Sequence, residues 1–558
     1  MKEQAIHEKR SFASVKELIE FAEAEYKGRC AFAYKPDPRK REITEISFSR
    51  FTRDVKYLTC LMKNMDIKGR HIALVGKLSY HWALVYYAVI ISGGVLVPLD
   101  RDWTGEEIGA TAAFADCEYM FIDGDIKEKA NEIKDMKGCY VINGRGDMEE
   151  LLQKGRALYK ELPHLWSFGV TDAEKTALIV FTSGTTGKGK GVMLSQRAVL
   201  EDILSVVPYI DFSSNTVGVL PPHHTYGSTV MLLGHTAIGS RVYISSGLRY
   251  ITKELMEERP GHLILVPLYL ETFYRRIHAA AKEKGREKTL YKMIAISNAL
   301  RKIGIDIRYR LFSSVTSAFG GRLKTVICGG APINQDMIDF FDSVGITVLN
   351  GYGITECAPI VAVNRSRNII KGSVGNVLDV NRVKIDRPDA NREGEILVKG
   401  ANVMQGYYKN ESATREALTA DGYFRTGDYG RLEKGEVLYI TGRKKNLIIL
   451  SNGKNVYPEE IENELISVPG VLEIVCYEGK SKRGPEHNGI AVEIFPDGEF
   501  LKNNGIEDKE GYFRPYIDAY NKRAQVYKRV DVFKLRDTEF PKNTLKKIMR
   551  FKIDTTVE

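Results

Sequence analysis

The stretch Phe181–Val192, FTSGTTGKGKGV, follows directly on the apolar run Ala177-Leu178-Ile179-Val180. Such a run reads as a buried strand. A loop of glycine, serine and threonine leaving it presents backbone amides and hydroxyls at close range, which is how a polyphosphate is held without steric cost. Thr182, Ser183, Gly184, Thr185, Thr186 and Gly187 are therefore the candidate cradle, and Lys188 and Lys190 add charge. Gly184–Lys190 matches most of the Walker pattern GxxxxGK, but the hydroxyl residue that should come next and bind magnesium is Gly191. A Walker-type NTPase fits poorly. A plain glycine-rich surface turn would be the bland reading, and the density of hydroxyls and lysines favours phosphate.

Outward from this loop, Ile72–Val75, Leu263–Val266, Thr325–Cys328 and Ile346–Leu349 repeat the short apolar run at intervals long enough for helices. The pattern predicts α/β layers with mostly parallel sheets. Trp82–Leu99 carries no charge and approaches the length of a membrane span, but Gly93, Gly94 and Pro98 interrupt it. It reads as a buried helix over 82–91, a turn and a strand over 95–99. Ile277–Arg310 is rich in lysine and arginine, with Leu290, Ile294, Ile296, Leu300 and Ile303 at helical spacing. It reads as a basic amphipathic insertion, more a surface helix than an anchor. At Gly442 the texture changes: Arg443, Lys444 and Lys445 precede a compact region with strands expected at Val471–Tyr477 and Ile490–Phe495. There Pro458, with acidic residues behind it, starts a helix. A small second domain over 444–558 is expected behind a large first domain over 1–443.

The 558 residues, 43% hydrophobic and 27% charged, suffice for more than one globular core. Seven cysteines show no paired or metal-ligand spacing, and no signal segment opens the chain, so a cytoplasmic protein is expected. A net charge of +9 suits anionic partners such as nucleotides, coenzyme A or an acidic lipid surface. The basic residues are too dispersed, with no recognition module, for nucleic acid to be expected.

Further segments join the phosphate loop in a fixed order: LPPHHTYG from Leu220, GGAP from Gly329, GYGITE from Gly351, YFRTGD from Tyr423, GRKKNLIILSNGKNVYPEEIE from Gly442 and PKNTLKKIMR from Pro541. Over residues 45 to 552 the chain resembles the adenylate-forming enzymes, and among them AMP-forming long-chain fatty acyl-CoA synthetases. The resemblance implies a large α/β domain of layered sheets with a small mobile α+β domain. It implies ATP, Mg2+ and coenzyme A as reactants, and two steps: a carboxylic acid, such as a medium- or long-chain fatty acid, becomes acyl-AMP with release of pyrophosphate, then a thiol takes the acyl group.

The same resemblance assigns roles. Tyr352, between Gly351 and Gly353, stacks on adenine, Thr355 meets the α-phosphate and Glu356 helps hold magnesium; each residue type suits its task. Gly329, Gly330 and Ala331 border the adenine edge. Asp428 takes the ribose hydroxyls and Arg443 the ribose-phosphate end, unless the two serve only in salt bridges. His224 places the acyl substrate, or is a satisfied histidine. Lys445 marks the hinge between domains. Rotation there would exchange Lys547, the catalytic lysine picked by its spacing to Ile548 and Arg550, for Gly453 and Lys454; Lys546 is the rival. Gly189, Asn446 and Gln196 depart from the usual family residues. A carrier-protein acceptor is expected to act in trans. An aryl acid could replace the fatty acid as substrate, and a catalytically silent nucleotide-binding module would carry the same nucleotide motifs. Peripheral membrane contact is a further expectation.

Overall fold

The computed structural model describes residues 5–133, 136–143, 146–167, 172–182, 189–434, 436–450, 454–481, 488–542 and 548–557. The chain forms two compact units. The first comprises Met1–Ala331, Met337–Arg382 and Val398–Phe424; the second comprises Pro332–Asp336, Val383–Leu397 and Arg425–Glu558, and so takes in all of 444–558 together with earlier segments.

The centre of the first unit is a sheet in the order Gly406–Tyr407, Lys190–Ser195, Thr176–Thr182, Val95–Leu99, His71–Val75, Cys117–Asp123, Gly138–Ile142. From Thr176–Thr182 onward the neighbours are parallel, and the strands are continuous apolar runs because helices cover both faces. The charge-free stretch is core, as expected. Its helix, Tyr80–Ser92, is capped by the Ser79 hydroxyl, which accepts from Trp82 N–H, and ends at Gly93 in the left-handed region at φ +81°. The strand Val95–Leu99 is buried along its whole length. Among the described residues no helix is long and apolar enough to cross a membrane.

A second sheet of this unit runs His262–Leu265, Thr325–Cys328 and Thr347–Gly353 in parallel, then Ile360–Val363 antiparallel. The basic insertion is two helices, Pro267–Glu283 and Glu287–Lys302, broken at Gly285 with φ +63°. Leu290 is buried, whereas Ile296 and Ile303 are exposed with Tyr291 and Ile305.

In the second unit the two expected strands are present as Val471–Ser481 and Gly489–Pro496, which pair antiparallel and are extended by Val532–Leu535 and Thr556–Val557. The helix Pro458–Leu465 lays Ile461 and Leu465 into a core with Val492, Ile494, Phe513 and Ile517.

Candidate active site

The phosphate segment leaves the sheet on Thr182 and re-enters it on Lys190, its antiparallel partner. Ser183, Gly184, Thr185, Thr186, Gly187 and Lys188 lie outside the described residues. The loop leads into a returning strand, Lys190–Ser195, and not into the helix that succeeds a Walker loop. Gly191 is part of that turn-back: a Cβ there would sit 2.9 Å from the Ile179 side chain. The amine of Lys190 lies over the Tyr407 ring, 4.7 Å from its centre.

Residues Gly351, Tyr352 and Gly353 end the strand Thr347–Gly353 and pair with Val363, Ala362 and Ile360. Gly353 is obligatory, since a Cβ would lie 2.2 Å from the Pro359 carbonyl. The chain then makes a single 3-10 turn, Thr355–Cys357, that presents Thr355 and Glu356 half-buried at the end of the strand. Glu356 is gripped twice by one distant segment. Its main-chain carbonyl accepts from Met404 N–H at 2.8 Å, and its Oε1 accepts from the Tyr407 hydroxyl at 2.9 Å.

Gly329, Gly330 and Ala331 follow the strand Thr325–Cys328, with Gly330 at φ +85°. A Cβ on Gly329 would lie 3.3 Å from the Gly351 carbonyl and 3.7 Å from the Tyr226 hydroxyl. That hydroxyl donates to the Ile327 carbonyl at 3.1 Å. Thus LPPHHTYG, GGAP and GYGITE meet at the carboxyl ends of two parallel strands, where open α/β sheets hold ligands. His224 is half-buried with its ring 4.0 Å from that of His223. Burial pushes His223 down to about 4, so it faces Asp100, 3.5 Å away, as a neutral ring.

The second unit carries the remaining candidates. Asp428, 2% exposed, is paired in register with Arg443, whose Nε lies 2.8 Å from Asp428 Oδ1. The salt bridge open to both residues is therefore formed. Lys445 sits in the 3-10 turn Lys444–Asn446, where Asn446 donates to Glu459 Oε1 at 2.5 Å. Lys454 is exposed, its amine 5.8 Å from the Tyr527 ring centre. Gly453, Lys546 and Lys547 lie outside the described residues. Their neighbours are anchored: Ile548 pairs with Lys542, and Arg550 is bound to Glu462 and to the Cys476 carbonyl.

Two contacts escape sequence reading. Tyr407 and Tyr226 act through single hydroxyls on residues far along the chain. The only local signal for Tyr407 is the glycine before it, whose backbone lies at φ +148° with the Thr414 side chain 2.9 Å from where a Cβ would be.

Two antiparallel strands flanking the glycine-rich segment, a strand-end turn bearing a carboxylate and a glycine approach beside it fit an α/β enzyme of the adenylate-forming class. A family model described as AMP-binding enzyme matches residues 20–408, and the chain belongs to that family. The long-chain-fatty-acid–CoA ligase FadD15 of Mycobacterium bovis is 27% identical over 435 residues, covering 73% of this chain and 70% of that protein. The chloroplastic long-chain-fatty-acid–acyl-carrier-protein ligase AEE15 of Arabidopsis thaliana is 29% identical over 370 residues, 56% of this chain and 50% of that protein. ATP-bound MatB from Rhodopseudomonas palustris shares the fold, with a TM-score of 0.75 at 21% identity over 96% of this chain and 98% of that one.

Proposed function

We propose that this enzyme uses ATP to convert a medium- or long-chain fatty acid to acyl-AMP and pyrophosphate, and then forms the thioester with coenzyme A. The observation that carries the reading is that Tyr407, with Lys190 over its ring, bonds Glu356 while Gly329 closes on Gly351. Attack of a carboxylate on the α-phosphate gathers negative charge, so rate comes mainly from positioning and from fixed positive or hydrogen-bonding groups. Thr355 supplies a hydroxyl donor and Lys190 an ammonium. Tyr352, Gly329, Gly330 and Ala331 would serve the adenine and His224 the acid, while Asp428 and Arg443 would serve the ribose. Residues 444–558 would supply Lys547 to the first step and Gly453 and Lys454 to the second, turning at Lys445.

Glu356 fits magnesium. Its carboxylate is a hard oxygen donor of the kind that holds magnesium alongside phosphates. The ion would neutralise phosphate charge.

Long-chain acids and a CoA acceptor are favoured by the FadD15 likeness, and AEE15 keeps a carrier-protein acceptor as the second reading. The deciding experiment supplies acids of graded length, and aryl acids, with ATP, and measures pyrophosphate and AMP. Turnover should rise with chain length and give no ADP. Product ADP, or preference for an aryl acid, would overturn the substrate reading. Omitting coenzyme A should halt turnover at bound acyl-AMP.

Weak membrane contact is proposed for the insertion, where exposed Tyr291, Ile296, Ile303 and Ile305 stand with exposed Lys288, Lys292 and Lys302. The protein should co-sediment with anionic vesicles at low salt and be released by salt, since the attraction extends only about a Debye length of roughly 10 Å at 0.1 M. Failure to sediment at low salt removes the idea.

A further inference from the structure

We propose that Tyr407 is a positioning residue for the Glu356 carboxylate, fixing one of its oxygens and coupling it to Lys190 at the end of the phosphate loop. The inference rests on the reading of Glu356 as the acid that meets the metal and phosphates.

The backbone places Tyr407 with little freedom. Gly406 and Tyr407 add to the edge of the strand that begins at Lys190, pairing antiparallel with Met193 and Val192. Gln405 N–H donates to the Met193 carbonyl at 2.9 Å and Tyr408 N–H to the Gly191 carbonyl at 2.8 Å, so both flanks of Tyr407 are tied to that strand. Its own N–H donates to Thr414 Oγ1 at 2.9 Å. The side chain, 7% exposed, then spans two functional segments: the Lys190 amine on its ring face and Glu356 Oε1 on its hydroxyl.

An ionised carboxylate on a free rotor can present either oxygen in many directions. With Oε1 occupied by the Tyr407 hydroxyl, Glu356 offers the remaining lone pairs in one orientation. A phenol hydroxyl, which ordinarily loses its proton only near about 10, donates to the carboxylate at working pH. The ring gives the Lys190 ammonium a face on which to rest within about 6 Å, as cation–π contacts do. One side chain therefore sets a cation of the phosphate loop and an acid of the strand-end turn at a fixed spacing. Hydrogen-bond partners of metal-binding carboxylates typically matter by about 10- to 100-fold in metal affinity.

The test is binding of α,β-methylene-ATP to the full chain at graded Mg2+, measured by calorimetry without turnover. Tyr407→Phe keeps the ring and the Lys190 contact and removes only the hydroxyl. It should raise the Mg2+ concentration for half-maximal nucleotide binding about 10-fold or more, with metal-free nucleotide binding and melting temperature unchanged. Glu356→Gln should raise it at least as much, and the double variant little further, because the two act through one contact. Tyr407→Leu should also weaken nucleotide binding in the absence of metal. If Tyr407→Phe matches wild type while Glu356→Gln is impaired, the positioning role is lost and the Glu356 reading stands. If Glu356→Gln itself matches wild type, the underlying reading fails. An equal weakening at every Mg2+ concentration would mark Tyr407 as merely structural.

Discussion

Replacing Arg550 with methionine is expected to destabilise the second unit by about 3 kcal/mol at pH 8.5, because the half-buried Glu462 carboxyl, without its partner, must hold on to a proton that the unfolded chain releases. Arg550 Nη2 is bonded to Glu462, and its Nη1 donates to the Cys476 carbonyl at 2.9 Å. Glu462 also accepts from Cys476 N–H at 2.6 Å. The methionine keeps the apolar stem and removes only the charged fork. Burial pushes Glu462 up to about 7, against the opposing pull of Arg550, and Glu459 nearby pushes the same way. An unfolded glutamate titrates near about 4.3. Since the fold raises this acid, the folded state holds the extra proton between those values, and stability falls as pH rises toward 7. Wild type then levels off, because folded Glu462 has ionised beside Arg550. Without Arg550 the carboxyl keeps its proton past 7 and the decline continues, at about 1.4 kcal/mol per pH unit. Cys476, its thiol raised by burial, stays neutral throughout. The loss should therefore be only about 1 kcal/mol at pH 5.5 and widen above 7. Trp82, Trp103 and Trp166 all belong to the first unit, so hydrogen exchange in Val471–Ser481 and Gly489–Pro496 is the measurement to use. A loss that is flat with pH would mean Glu462 does not titrate in the folded chain.

That ion pair shows where sequence reading stops. The helix Tyr80–Ser92 and the strand Thr325–Cys328 are legible because burying a whole element requires a continuous apolar run, and the caps Ser79 and Gly93 mark the ends locally. The helix Pro458–Leu465 is legible from its proline and from Ile461 and Leu465, but the same pattern is silent about Glu462: one acid among polar neighbours leaves the periodicity unchanged whether it is buried or solvated. The site divides in the same way. Thr182, Gly329, Tyr352 and Glu356 stand in motifs whose glycines and hydroxyls announce close backbone approach. The turn-back of Lys190–Ser195 and its edge partner Gly406–Tyr407 do not, since strand pairing between distant segments depends on the register of the whole sheet. Hence the motif order could place Lys190 and Glu356 in one site while leaving unseen the tyrosine that stands between them.

Lys547→Ala is expected to lower acyl-AMP formation by about 100- to 1000-fold, the usual loss when one electrostatic contact to a developing charge is removed, and to leave thiolation of supplied acyl-AMP near the wild-type rate. In the first step the incoming carboxylate oxygen and the α-phosphate are both negative, and an ammonium lowers the barrier by neutralising them together. In the second step a thiolate meets a mixed anhydride whose leaving group is already AMP, so an ammonium aimed at the attacking carboxylate has no corresponding task. The assignment of Lys547 rests on its spacing to Ile548 and Arg550, and those two are fixed within the second unit, one by pairing with Lys542 and the other by Glu462 and Cys476. The spacing that selects Lys547 does not select Lys546. Lys546→Ala should accordingly be mild in adenylation. The two half-reactions are measured separately, by pyrophosphate exchange with acid and ATP, and by thioester yield from synthetic acyl-AMP and coenzyme A. Greater damage to adenylation from Lys546→Ala would move the role to that lysine, and equal loss of both steps in Lys547→Ala would remove the rotation between steps from the mechanism.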